Sequence, residues 1–382
     1  MKLFLVSLYG FFVVQFRGLP LFFPISFFIL TKQIIFREFY VSKYIFFFLL
    51  PFIYILILTV FLSVFSNQQY NNNFLSEAII ILVLIVSSLV ISSEIQNKKN
   101  SFLKLVNFIF YFIIFTAILD FVCYLSTGNN LISYFEPLEI LRQRGSIPIL
   151  GVSNSNRIQG LCSEPSRLML VANIIFMIKN LIQEEKSKKY ISFNIFSLLF
   201  IQFGTLSITG IPLTLINLYF VFRNLKFTRI LLYTLISIFF FIFLLFSGDI
   251  YNLINSAFSK LSGEHVSGSG RYFNFVESIS MAYYSYFLGS GIDSYVIEHG
   301  RNTGNMLTLI LLEGGFLPFI IYIFSIFYSI KKILTHSYFN NSAINYSLLA
   351  IFFLITQSFQ SEPYNILLFL HIIYGLSLTK QK

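Results

Sequence analysis

Residues 157–166 read Arg-Ile-Gln-Gly-Leu-Cys-Ser-Glu-Pro-Ser, and residues 268–271 read Gly-Ser-Gly-Arg. Each stretch sets an arginine among small residues, where the backbone can approach a ligand closely. A guanidinium is a planar fork that grips phosphate or carboxylate in two places and does not lose its charge. Arg157 and Arg271 are therefore the leading candidates for an anion site, and Arg142, Arg144 and Arg301 fall in the same two regions of the chain. Glu164, next to Pro165 at the start of an apolar run, and His299 are the groups suited to accept a proton, with Glu164 favoured because a helix start holds it rigidly. A purely structural role is the alternative. The arginines would then pair with Glu136, Glu139, Glu164, Glu277 and Glu298, while Ser163, Glu164 and Pro165 cap a helix. Capping accounts for Ser163 and Pro165 but not for Arg157 with Gly160.

The elements that must position these residues are apolar helices. The chain is 56% hydrophobic and 11% charged, where a soluble domain carries about 25% charged residues. Its apolar residues come in runs, and 44–66, 75–93, 102–125, 229–247 and 304–330 are each long enough for a helix to cross the hydrocarbon layer, which takes ~20 residues. The pattern predicts an all-α polytopic membrane protein, a bundle of about 12 transmembrane helices. The expected spans are 3–16, 19–31, 44–66, 75–93, 102–125, 166–182, 190–206, 209–222, 229–247, 304–330, 343–360 and 364–379. With 23 Tyr and no Trp, tyrosine must form the interfacial belts. A net charge of +10 would suggest nucleic acid in a soluble protein, but membrane proteins collect Lys and Arg in cytoplasmic loops. The lipid bilayer, not nucleic acid, is the expected partner. Cys123 lies in an apolar run and Cys162 in a connection, which argues against a disulfide, and no spacing suggests a metal or another cofactor. Lys2 and the apolar stretch after it, with no small-residue cleavage site, read as an uncleaved first helix.

Alternating sides from a cytoplasmic N-terminus puts eighteen of the 26 basic residues inside, and both termini cytoplasmic. The expected outer links 67–74 and 207–208 carry none. Two outer segments are far longer than the other connections, so the chain divides into 1–126, 127–165, 166–247, 248–303 and 304–382. Long connections in a compact bundle usually carry function. The basic residues left outside are Arg17, Arg142, Arg144, Arg157, Arg167, Arg271, Arg301 and Lys260, seven arginines of eight, against three arginines of eighteen inside. Lysine would anchor loops equally well, so this sorting points to an anion at the outer face, most naturally a phosphate or pyrophosphate. Two acids, Asp120 and Glu313, fall inside expected spans, where an ionisable residue is a functional hypothesis by default. Asp120 is close enough to the end of its span to reach the interface. For His336 and His371 the sequence offers no partner.

Arg-x-x-Gly-x-x-x-Glu-Pro-Ser leading into a membrane helix resembles the Wzy-type O-antigen and capsule polymerases of the O-antigen polymerase and ligase superfamily. Gly270-Arg271 followed by Gly289-Ser290-Gly291 is similar to the family's later Gly-Arg and Gly-x-Gly segments. Asn305 followed by Glu313 and Gly315 resembles its late helix, and Ser207-Ile208-Thr209-Gly210 resembles its Ser-Arg-Thr-Gly turn. The family's His before the Asn is Gly304 here, and its Arg in the turn is Ile208. Together these motifs cover roughly residues 150–330.

The resemblance implies a glycosyltransferase of the bacterial cytoplasmic (inner) membrane, working at its extracytoplasmic face on undecaprenyl pyrophosphate-linked oligosaccharides. Arg157 and Arg271 would stabilise the departing pyrophosphate, and Glu164 or His299 would act as general base. Arg142, Arg144, Arg301, Asn305 and Glu313 would bind substrate, and a chain-length regulator is a candidate partner. A ligase of the same superfamily is the first rival. A lipid-linked oligosaccharide flippase is the second, although a flippase should keep its charges within the helices and its loops short. Metal-dependent large-loop glycosyltransferases need a long first outer loop, and the first outer link here is residues 17–18.

Overall fold

The computed structural model describes residues 15–16, 19–20, 23–35, 40–65, 73–97, 99–129, 131, 158–160, 162, 165–182, 188–205, 207, 209–222, 266–299, 303, 305–336, 343–358 and 365–378. Among them, one short antiparallel pair joins β1 (Gln15–Phe16) to β2 (Leu19–Pro20), with Gln15 opposite Pro20. The rest of the regular structure is helical: α1 (Phe23–Ile35), α2 (Lys43–Phe65), α3 (Asn73–Asn97), α4 (Lys99–Thr127), α5 (Pro165–Ile182), α6 (Lys188–Thr205), α7 (Gly210–Phe222), α8 (Val266–Tyr284), α9 (Ser294–His299), α10 (Met306–Gly314), α11 (Phe316–His336), α12 (Ala343–Ser358) and α13 (Ile366–Ser377).

Among the described residues, five stretches are long and apolar enough to cross a membrane: Lys43–Val64, Ala78–Asn97, Asn100–Thr127, Pro165–Ile182 and Phe316–His336. Shorter apolar helices run over Phe193–Thr205, Gly210–Phe222, Ala343–Ser358 and Ile366–Ser377. The chain is a helical membrane protein. The expected span 229–247 lies outside the described residues, as does 3–16 apart from β1. Two differences from the sequence expectation concern the region before the last spans. The expected span 304–330 is broken at Gly315 into α10 and α11, and the segment 248–303 contains the helices α8 and α9.

The centre of the bundle is α13. Every residue from Ile366 to Ser377 is buried, and the helix packs on α2, α3, α5 and α11. A helix that is apolar on all sides belongs in the middle of a bundle. α5 is a second interior helix, packed on α4, α6, α7 and α13. Phenylalanines fill the space between. Phe52 meets Phe369 edge-to-face at 5.7 Å, and Phe48 lies 5.3 Å from Phe52. Apolar packing alone does not fix how such helices meet, and polar side chains supply cross-links. Tyr322 of α11 donates to Gln357 Oε1 of α12, Gln357 Nε2 donates to Thr356 Oγ1 at 3.3 Å, and Thr356 Oγ1 meets His371 Nε2 of α13 at 3.1 Å. Lys179 of α5 is buried. Its ammonium donates to Asn194 Oδ1 at 3.0 Å and sits 4.2 and 4.4 Å from the centres of the Phe110 and Tyr111 rings. Two aromatic faces and an amide replace the water it loses.

α13 comes close to α11 at Gly375, where an added Cβ would stand 1.9 Å from Ser329 Oγ and 2.7 Å from the Ser329 carbonyl oxygen. Ser329 in turn donates to the Ile372 carbonyl at 3.0 Å. Gly375→Ala is expected to destabilise the protein by about 1–3 kcal/mol, because the obstructing backbone cannot swing away. Thermal unfolding in detergent measures it. Adding Ser329→Ala should restore only part of the loss, since the carbonyl contact remains.

Candidate functional site

Two carboxylates inside apolar helices hold the chain segments that surround the candidate residues. Asp120, in the last third of α4, is 1% exposed. Its Oδ1 accepts the Leu131 N–H at 2.5 Å, and its Oδ2 accepts the N–H groups of Gln159 at 2.7 Å and Gly160 at 2.9 Å. One side chain thus ties together the two chain ends that flank residues 132–157. Ile158 N–H donates to the Gly204 carbonyl at 2.8 Å, which links the same returning strand of chain to the end of α6. A carboxylate in a low-dielectric site is tolerated when donors surround it. Asp120 finds them in the backbone of its own connection, so it does not need to reach the interface.

Glu313, in the last turn of α10, is likewise 1% exposed, and its Oε1 accepts the Asp293 N–H at 2.9 Å. The same helix end receives Ser290 N–H on the Leu312 carbonyl at 2.9 Å and Gly291 N–H on the Glu313 carbonyl at 3.1 Å. Ile292 N–H donates to Thr59 Oγ1 of α2 at 2.8 Å, and Phe316 N–H to the Phe287 carbonyl at 2.9 Å. The turn 285–293 is therefore bonded along its length to α2, α10 and the start of α11. Two glycines make this contact possible. Gly289 (φ 96°) has Glu313 O 2.8 Å from where a Cβ would be, and Gly315 (φ 86°) has Phe287 O at 2.5 Å. Both are left-handed in conformation and too crowded for a side chain. Gly289-Ser290-Gly291 and Glu313-Gly314-Gly315 are two sides of one backbone junction.

Beside that junction α8 and α9 are joined by side chains. Tyr295, 1% exposed, donates its hydroxyl to Glu277 Oε2 at 2.7 Å. His299, one turn later on α9, lies with its ring centre 4.5 Å from that of Tyr295, and its Nε2 is 3.3 Å from Met281 Sδ. Asn305 is the N-cap of α10, its Oδ1 accepting the N–H groups of Leu307 at 2.9 Å and Thr308 at 3.4 Å. Three of the expected site residues, His299, Asn305 and Glu313, thus lie on the single unit α9–α10, with Glu277 of α8 bonded to its Tyr295. Arg271 belongs to the backbone of α8, and its side chain is outside the described residues. Arg142, Arg144, Arg157, Glu164 and Arg301 are also outside them. Among the described residues no group of three His, Cys, Asp or Glu could hold a metal ion.

The Ser207–Gly210 turn is set in a polar cluster between α5, α6 and α7. Gln202 Nε2 donates to the Ser207 carbonyl at 2.9 Å, Thr214 Oγ1 to Gln202 Oε1 at 3.0 Å, and Asn217 Nδ2 to Asn173 Oδ1 at 2.8 Å. The pairing of Glu277 with Tyr295 left no mark in the sequence. Their separation of eighteen residues bridges a turn whose geometry is set by a third element. Asp120 did leave a mark, as the one acid in its apolar run shortly before a long connection. Comparison with protein-family models, with curated proteins and with solved structures gave no match in any of the three.

Asp120→Ala leaves three amide donors without their carboxylate, each costing about 1–3 kcal/mol if still buried. Part of that cost is relieved by local opening, so a net loss of about 2–4 kcal/mol is expected in detergent unfolding. Asp120→Asn keeps one acceptor oxygen and should fall between the alanine variant and the native chain. A neutral alanine variant would show that the clasp does not hold this region. Gly289→Ala tests the second junction, and the strain of the φ together with the carbonyl contact should destabilise the fold by about 1–3 kcal/mol.

Proposed function

We propose that the protein polymerises the lipid-linked oligosaccharide repeat units of a surface polysaccharide (O-antigen, capsule or exopolysaccharide) at the extracytoplasmic face of a bacterial cytoplasmic membrane. A glycan chain leaves one undecaprenyl pyrophosphate carrier and is joined to the non-reducing end of a repeat unit on another. The observation that carries this reading is the sorting of basic residues, with arginine in the two long segments expected outside and lysine on the opposite side. Lipid pyrophosphate is an anion presented at a membrane surface, and it is also the leaving group. Fixed guanidinium charge opposite the departing pyrophosphate lowers the barrier as negative charge develops there. Arg157 and Arg271 take that role. Glu164 removes the proton from the attacking sugar hydroxyl, with His299 as the alternative base. Arg142, Arg144, Arg301 and Asn305 line the substrate path, and Glu313, buried at the far end of α10, serves substrate binding by holding that helix in place.

Support for this reading comes from motif order and from the junctions that join the motifs. The Gly-Ser-Gly and Glu-Gly-Gly segments are bonded to each other, and Gly160 of the first motif is bonded to Asp120. A ligase that passes the glycan to another acceptor shares these features and is the second reading. A flippase is disfavoured because the arginines expected outside lie mostly in or beside the two long segments, with Arg167 buried in the first turn of α5.

Deleting the gene in its host and resolving surface polysaccharide on a gel separates the three. Polymerase loss removes long chains and leaves single repeat units displayed. Ligase loss leaves polymer on the carrier, and flippase loss traps lipid-linked repeats inside. In the polymerase case, Arg157→Lys and Arg271→Lys should each shorten chains by roughly tenfold or more in yield, since an ammonium cannot make the bidentate contact. Full-length chains from both variants would sink the bidentate role.

A further inference from the structure

α8 falls in a segment expected to lie outside the membrane, yet among its described side chains, those of residues 273–284, the outward face is apolar apart from Ser280. Phe273, Val276, Ile279 and Tyr283, at helical spacing of three, three and four, are exposed, and Phe275 and Tyr284 flank them. The opposite face, with Ser278 and Ala282, is buried against the α9–α10 side. Glu277 is the one charged residue among those of α8 whose side chains are described, and it is turned to Tyr295. A helix standing in water would place charged and polar residues on its outer face. The apolar surface also continues beyond the helix. Tyr286 and Leu288 are exposed in the turn that follows, and that turn is bonded through Phe287 to Phe316 at the head of α11. There the exposed Phe316, Leu317, Ile320 and Phe324 begin the outward face of a helix long and apolar enough to cross a membrane. Tyr283, Tyr284 and Tyr286 gather where apolar α8 meets the turn, and tyrosine is the residue this Trp-free chain has for an interfacial belt.

We propose that α8 is immersed at the bilayer boundary, with the stripe Phe273–Val276–Ile279–Tyr283 against lipid acyl chains in continuity with the lipid-facing side of α11. The partner is the membrane itself. The helix leaves water by the same apolar burial that seats an amphipathic interfacial helix. Its N-terminal turns, which contain the backbone of Arg271, then stand within a few residues of the lipid headgroups, the level at which a lipid-borne phosphate is presented.

Because the chain contains no tryptophan, a single introduced indole is an unambiguous reporter. Val276→Trp, Ile279→Trp and Tyr283→Trp are each reconstituted as the full chain in vesicles of ordinary or acyl-brominated phosphatidylcholine. Ile57→Trp, on the exposed side of α2, serves as the lipid-facing reference, and Asn129→Trp as the exposed reference at the end of α4. The α8 variants are expected to lose emission in brominated lipid to the same extent as Ile57→Trp and to resist aqueous iodide. Emission that iodide quenches and bromine does not, as expected for Asn129→Trp, overturns the proposal. Three positions on successive turns keep the test open if one variant does not fold. The readout needs no glycan, so it stands or falls separately from the polymerase reading.

Discussion

The constraint on which the structure depends is that polar groups removed from water must be satisfied within the chain. Asp120 and Glu313 are each almost completely buried, and each accepts backbone N–H groups from a connection, three for Asp120 and that of Asp293 for Glu313. The bonds serve both partners. A buried carboxylate gains donors, and loop amides that leave regular structure gain an acceptor. Removing Asp120 would leave three amides unsatisfied at once, so that acid fixes the path of a whole segment.

Glycine works with these clasps by allowing backbone to touch backbone. At Gly289 and Gly315 the contact is between a turn and a helix end, and at Gly375 it is between the central helix and α11. In a bundle where lipid is as apolar as the helices, association relies on such close packing and on hydrogen bonds between side chains. The run from Tyr322 through Gln357 and Thr356 to His371 and the cluster around Asn173 are of this kind. They explain polar residues in the spans without assigning them chemistry.

The break at Gly315 changes how the late part of the chain relates to function. Residues 304–330 look like one continuous span because both halves are apolar. Hydropathy averages over a window and does not register one residue with positive φ. The separate α10, capped by Asn305 and held at its far end by Glu313, brings two residues expected to bind substrate to opposite ends of one short helix. Its partner α8 was hidden for the opposite reason. Its apolar residues form a stripe rather than a run, and the Gly- and Ser-rich start of the helix reads as loop.

Sequence by itself determined the helical membrane character, the positions of most helices and the division of α6 from α7 at Ser207–Gly210, because long apolar runs and turn residues act locally. It also marked Asp120 and Glu313 as acids that needed an explanation. Only the tertiary structure decided what satisfies them, since Asp120 reaches amides 11, 39 and 40 residues away and Glu313 one 20 residues away. The pairing of Tyr295 with Glu277, the ring cage around Lys179 and the interior place of α13 depend equally on contacts between distant segments. No local pattern of residue types records such contacts, because what sets them is the packing of one helix against another.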